Sequence, residues 1–258
     1  MKLSAGISYI EAGQGPAIIC LHGIGGGRDS FVNQLSGIPN HRVIAWDMPG
    51  YGESDEGAHN FAALSTKLSN FIKSLGLQQV VLVGQSIGGM LAIEHALRHK
   101  DQVVGLVLMA TTPSFGGRDD SFKDTFLKAR LAPLEAGKSM HEMAKEAAPH
   151  LVGAQDDHAL IAEIARILGS VPMASWRSIL PCLTTFNRRN DLGDIQCPSL
   201  VVCGAKDASA PVRTMEWMAN HLAQSAFHVI DNAGHMVNQE APKEVNNLIT
   251  EFLKRNSL

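Results

Sequence analysis

The chain has 258 residues, 45% of them apolar and 18% charged, and its 22 basic and 25 acidic side chains leave a formal net charge of -3. That length and apolar content suffice for one large α/β domain or for a domain carrying an insertion, and they exclude bulk disorder. The near-balanced charge, without runs of one sign, gives no electrostatic case for nucleic acid or an anionic membrane as partner.

Residues 1–10 carry one lysine and no unbroken apolar segment, and no later stretch reaches the roughly 18 apolar residues that a membrane span needs. The expectation is a protein that stays in the cytoplasm; no pattern in the sequence specifies an oligomeric state. Cys20, Cys182, Cys197 and Cys203 form no CxxC pair, and Cys20 and Cys203 fall inside apolar runs, where a free cysteine behaves as a small buried hydrophobe. Neither a disulfide framework nor a zinc-cysteine site is expected. None of the 11 histidines belongs to an HExxH, so the expected metal content is none.

In chain order, short apolar runs bounded by Gly, Asp or His occur at residues 17–21, 43–46, 80–83, 103–109, 200–203 and 227–230. Most have the look of strands buried on both faces, as in a parallel sheet covered by helices. Phe61, Leu64, Leu68, Phe71, Ile72 and Leu75 keep helical spacing and stop at Gly76, a suitable residue just past a helix end. Between Pro113 and Pro198 the spacings are helical (Phe122/Phe126, Met140/Met143, Leu160/Ile161/Ile164/Leu168, Met173/Trp176/Leu180/Leu183) and no strand pattern intervenes. Val245, Leu248, Ile249, Phe252 and Leu253 form a last helical stripe after Pro242, which suits a first turn. The alternation predicts a doubly wound, mostly parallel α/β sheet built from residues 1–113 and 198–258, with residues 114–197 inserted as a helical cap.

The run Gly84-Gln85-Ser86-Ile87-Gly88-Gly89 lies between the strand at 80–83 and a helix-like segment containing Met90, Ile93 and Leu97. A G-x-S-x-G in that context forms a turn so sharp that a Cβ two residues to either side of the serine would crowd backbone. Such a turn lifts Ser86 Oγ to the N-terminus of the next helix, where the Ile87 N–H can bind an oxyanion. A nucleophilic serine needs a base, and the base needs a group that fixes its tautomer. In the order Ser, acid, His, Asp207 follows the strand at 200–203 and His235 follows the strand at 227–230. Asp231 is the nearest rival acid, but its place at the end of a strand suits a turn role. The position after residues 103–109 reads Ala110-Thr111-Thr112 and offers no carboxylate. A second oxyanion donor is expected from His22-Gly23-Ile24-Gly25-Gly26-Gly27, with the Ile24 N–H as the candidate. As a dinucleotide fingerprint this loop fails, because G-x-G-x-x-G/A counted from Gly23 meets Arg28 and counted from Gly25 meets Ser30.

Together the His22-Gly23 loop, Asp47-Met48-Pro49-Gly50-Tyr51-Gly52-Glu53-Ser54, the Ser86 turn, Asp207 and Gly234-His235 resemble the α/β-hydrolase family over nearly the whole chain, the inserted segment matching least. Within the family the layout resembles the 3-oxoadipate enol-lactonase and small carboxylesterase group. The resemblance implies a capped, mostly parallel sheet and, with Ser at the turn, hydrolysis of a small-molecule ester, lactone or thioester without a cofactor. A carbon-carbon bond hydrolase of a ring-cleavage product would use the same three residues; a non-catalytic small-molecule receptor on this fold would not need them. Arg130, Arg166, Arg177, Arg188 and Arg189 are the cationic candidates in the insertion, and their spacing aims none of them inward. A compact neutral acyl group is therefore expected, since an unpaired buried carboxylate is costly.

Overall fold

A computed structural model describes residues 1–57, 59–116 and 121–258. In chain order its strands are β1 (Lys2–Ser4), β2 (Ile7–Ala12), β3 (Ala17–Leu21), β4 (Arg42–Trp46), β5 (Val80–Gln85), β6 (Val103–Met109), β7 (Ser199–Gly204) and β8 (Ser225–Ile230). They form one sheet in the order β1-β2-β4-β3-β5-β6-β7-β8. β1 and β2 pair antiparallel, β2 joins β4 antiparallel, and every other neighbouring pair is parallel. The doubly wound, mostly parallel sheet expected from the alternation is thus present.

The helices are α1 (Val32–Gly37), α2 (Phe61–Ser74), α3 (Ile87–Arg98), α4 (Ser121–Glu135), α5 (Met140–Ala147), α6 (His158–Gly169), α7 (Met173–Thr184), α8 (Val212–Ala219), α9 (Val237–Glu240) and α10 (Pro242–Arg255). Alternate residues of the central strands sort the core into two layers. Ile19 and Leu21 of β3 pack with Leu64, Leu68 and Phe71 of α2 and Leu91 of α3, whereas Ile18 and Cys20 pack with Phe31 and with Ile249 and Phe252 of α10. Each fully buried Ile, Leu or Phe among them contributes about 1.5–3 kcal/mol relative to exposure. α2 begins at Asn60, whose side chain accepts from the Ala63 amide at 2.9 Å, and it is followed by Gly76 at φ 72°, the stop expected there. Pro242 occupies the first turn of α10 as its sequence position suggests. Among the described residues, no single helix is long and apolar enough to cross a membrane.

Two strands lie outside the expected set. β1 and β2 form a hairpin whose Ser4↔Ile7 pair closes over Ala5 and Gly6, both at positive φ (50° and 75°). A two-residue turn of that handedness usually reads Asn-Gly or Asp-Gly, so Ala5-Gly6 gave little warning of it. The run at 227–230 is a strand but not one buried on both faces: β8 ends the sheet, and His228 and Val229 are exposed.

Helices α4 to α7 fill the interval between β6 and β7, joined at its base by the Ser114↔Asn187 bridge. Two backbone bonds flank that neck, Phe115 N to Phe186 O and Arg188 N to Pro113 O, both 2.8 Å. Arg188 also donates to both oxygens of the buried Glu94 on α3, at 2.6 and 3.0 Å, so the neck is held to the helix that follows Ser86. Of the stripe residues in this interval, Met140, Ile164, Leu168, Trp176 and Leu180 are buried, Met143 is half-buried, and Met173 faces solvent at 40% exposure.

Candidate active site

β5, β6, β7 and β8 run parallel side by side, so the loops leaving their C-terminal ends meet at one edge of the sheet, the usual ligand position in open α/β sheets. Ser86 follows β5 at φ 54° and ψ -122°. For a non-glycine residue that conformation costs on the order of 1–3 kcal/mol and persists only where the surroundings impose it. Here Ser86 N donates to Met109 O at 3.0 Å, and the Ser86 carbonyl accepts from Thr111 Oγ1 at 2.6 Å. A Cβ on Gly84 would lie 2.4 Å from Gly88 O, and one on Gly88 would lie 2.0 Å from Leu21 O, so both glycines of the motif are sterically required. From Val80 to Ala96 every residue is buried except Ser86, which is half-buried at the top of the turn.

His235 Nδ1 donates to Asp207 Oδ2 at 2.8 Å. The other oxygen, Oδ1, accepts from the amides of Ser209 (2.7 Å) and Ala210 (3.0 Å). Burial pushes the Asp207 carboxyl up, but the His235 hydrogen bond and charge and the two amides outweigh it and hold the group below its ordinary value. Asp207 is accordingly ionised at neutral pH and the shared proton belongs to His235 Nδ1. Asp231, the rival acid, is exposed.

The backbone of His235 is fixed from three sides. Its amide donates to Leu151 O in the insertion at 2.8 Å. Its carbonyl accepts from Gln85 Nε2 at 2.9 Å, which ties it to the residue preceding Ser86. The amides on either side of it, Gly234 and Met236, donate to Glu240 Oε1 at 2.8 and 3.2 Å. Gln85 and Glu240 are residues that sequence reasoning passed over; the Gln85 contact spans 150 positions and leaves no local signature.

The glycine-rich loop lies against the serine turn. A Cβ on Gly23 would sit 2.2 Å from Gln85 Oε1 and 3.3 Å from Ser86 Cβ, and one on Gly25 would sit 2.2 Å from Leu168 Cδ1 of α6. His22 is wholly buried; its Nε2 accepts from the Met48 amide at 2.9 Å, so Nδ1 carries the proton and donates to Gly23 O at 2.8 Å. Burial lowers its pKa and keeps the ring neutral in that bridging role. Tyr51 Oη donates to Ile24 O at 2.9 Å and so fixes the peptide unit between Ile24 and Gly25, while Gly23 O, which shares its peptide plane with the Ile24 N–H, accepts from the Gly26 amide at 2.9 Å. Asp47, where a dinucleotide-binding chain would place its ribose ligand, is instead buried and accepts from the Arg28 amide at 2.8 Å and Ser8 Oγ at 2.7 Å. Ile87 is the first residue of α3, so its N–H lacks an intrahelical partner. The structure thus brings Ser86, Asp207, His235, Ile24 and Ile87 to the same edge of the sheet. Among the described residues, no group of three or more His, Cys, Asp or Glu side chains is arranged to hold a metal ion.

A family model described as the alpha/beta hydrolase family matches residues 18–248. The chain is 26% identical over 245 residues to a pimeloyl-[acyl-carrier protein] methyl ester esterase of Shewanella woodyi, covering 90% of this chain and 92% of the relative. It is 27% identical over 267 residues to a 2-hydroxy-6-oxo-6-(2'-aminophenyl)hexa-2,4-dienoic acid hydrolase of Metapseudomonas resinovorans, covering 96% and 87%. Among solved structures, a thermophilic esterase from Thermogutta terrifontis superposes with a TM-score of 0.87 at 27% identity, covering 98% of this chain and 94% of that one. With a family model spanning most of its length and the same fold as a known esterase, the chain belongs to the alpha/beta hydrolase family.

Proposed function

We propose that the protein is a serine hydrolase that cleaves small, neutral carboxylic esters or lactones through an acyl-enzyme. The observation that carries this reading is the His235 Nδ1 to Asp207 Oδ2 bond of 2.8 Å beside a serine held at φ 54° on the adjoining turn. With Nδ1 committed to Asp207, Nε2 is the lone pair left to act as base. Ser86 Oγ attacks the carbonyl carbon while its proton passes to His235 Nε2. The oxyanion rests on the amides of Ile24 and Ile87, fixed dipoles that need no reorganisation as charge develops. His235 then returns the proton to the leaving alkoxide, the ester C–O bond breaks, and a water deprotonated by His235 releases the acid and restores Ser86. No cofactor enters the scheme. In this reading residues 114–197 form the cap, and the contact of Leu168 with Gly25 supports its placement over the site. The free thiols of Cys20, Cys182, Cys197 and Cys203 fit a cytoplasmic enzyme.

Preference for a neutral acyl group is supported by where the arginines of the cap go. Arg166 pairs with Glu163 at 2.7 Å, and Arg188 with Glu94 at 2.6 Å. Arg130 stacks over Phe126 and Arg189 over Trp217, at 3.6 and 3.9 Å from the ring centroids, and Arg177 is exposed. Two of these five cations are thus spent on acids, and a carboxylate-bearing substrate, such as the dienoic acid named for one relative, would have to draw on the others. The measurement is kcat/KM for a neutral lactone or aryl ester against its carboxylated analogue on one preparation. A preference of about tenfold or more for the neutral compound is expected. A preference of about tenfold for the carboxylated compound would contradict the neutral-acyl reading and point to one of those arginines, whereas turnover of a diketone acid with none of any ester would favour carbon-carbon bond cleavage instead.

A further inference from the structure

Glu240 closes α9, five positions after His235, and it is half-buried. Its Oε1 accepts from the amides of Gly234 and Met236, which flank His235, at 2.8 and 3.2 Å. Its Oε2 accepts from the Gly153 amide of the insertion at 2.6 Å. The same stretch of the insertion takes the His235 amide at Leu151 O and a hydrogen bond from Lys206 Nζ at Gly153 O, 3.2 Å away. Gly153 and Gly234 touch so closely that a Cβ on Gly153 would lie 2.8 Å from Gly234 N, and one on Gly234 would lie 2.7 Å from Gly153 N.

Among the described residues Glu240 forms no ion pair, and the charged side chains lining the cleft beside it, Asp157, Asp231 and Glu244, are acids. Its charge is therefore carried by amide donors alone. Burial is the largest influence on its carboxyl and, despite those donors, leaves it above the ordinary value. A half-buried carboxylate without a cation is a poor device for stability alone, since desolvation offsets much of what the amides return. It is a good device for geometry, because charge-assisted hydrogen bonds are shorter and stronger than neutral ones and two oxygens can join two separate chain segments.

We propose that Glu240 is a positioning residue: its carboxylate clamps the peptide units around His235 to the Gly153 amide, so the aim of the imidazole depends on the insertion being seated. The proposal rests on the reading of His235 as the base. With the clamp released, the loop from Gly234 to Met236 keeps its chain path but loses its fixed height above the serine turn. The ring then samples orientations in which Nε2 no longer faces Ser86. Misplacement of a reacting group by about an ångström costs up to roughly 100-fold in rate without a matching loss of substrate binding.

The test compares Glu240→Ala and Glu240→Gln with the parent enzyme on a neutral aryl ester. Glu240→Gln keeps the volume and one oxygen, so it can hold either the His235 loop or Gly153 but not both, and it carries the test if the alanine variant does not fold. Turnover is counted per site titrated to completion with a fluorophosphonate, so that loss of folded protein does not enter. The expected result is a kcat lowered about 10- to 100-fold with KM within about threefold, together with weakening of the low-field proton NMR resonance of the His235–Asp207 hydrogen bond. A kcat per titrated site within about threefold of the parent, with that resonance intact, would overturn the proposal. His235→Ala, assayed alongside, separates the two levels: if it keeps a tenth or more of the activity, the reading of His235 as base has failed, whatever Glu240 does.

Discussion

Replacing Ser86 by Ala should lower kcat/KM for ester hydrolysis by about four orders of magnitude or more, because the proposed chemistry has no other nucleophile and members of such a trio act as a unit. The fold should survive. Ser86 is the half-buried residue in an otherwise buried segment, so removal of Oγ opens no cavity in the core. The backbone bonds from Ser86 N to Met109 O and from Thr111 Oγ1 to Ser86 O do not involve the side chain that is lost. A melting temperature within about 4 °C of the parent is expected, the shift that about 1 kcal/mol produces in a chain of this size. Activity and melting are to be measured on the same sample. Retention of about a tenth of the activity in a well-folded variant would remove Ser86 from the role of nucleophile.

Asp207→Asn should be nearly as damaging, by about 10⁴-fold in kcat, and the surroundings of the carboxylate say why. Oδ1 faces two N–H donors, Ser209 and Ala210. An asparagine must keep its oxygen there, which turns its NH₂ group toward His235 Nδ1. That nitrogen would then have to accept, the ring proton would move to Nε2, and the base would present a proton to Ser86 where a lone pair is needed. Asp231→Asn, on an exposed side chain, is expected to change kcat by less than about threefold. Should the Asp231 change prove the more damaging of the two, the assignment of the acid is wrong.

The residues of the site that could be read from the sequence are those with local punctuation. Ser86 sits between glycines whose absent side chains make room for Gly88 O and Leu21 O, and Asp207 and His235 each follow an apolar strand with glycine between. The Ile24 loop was visible because glycine clusters are visible. What escaped was everything that depends on distant partners. Gln85 looks like an interchangeable position of the motif, yet its amide reaches the carbonyl of His235. Glu240 looks like an ordinary acid ahead of a helix, yet its two oxygens join three amides from two parts of the chain. The same reason accounts for the fold. β3 and β6 match the apolar runs residue for residue, because buried parallel strands are uniformly apolar. The β1–β2 hairpin was missed because its turn residues are Ala5 and Gly6 and its alternation is short. Met173 shares the spacing of a buried stripe but faces solvent; periodicity marks which residues share a face, while the neighbouring elements decide how far burial extends along it.

The most direct test of the account is to trap the acyl-enzyme. A neutral aryl ester is mixed with the protein, turnover is quenched with acid during the steady state, and the digested chain is mapped by mass spectrometry. One acyl group is expected, carried on the peptide containing Ser86, absent from Ser86→Ala and accumulating when water attack is slowed. Steady hydrolysis with no covalent adduct, or an adduct on a residue other than Ser86, would contradict it.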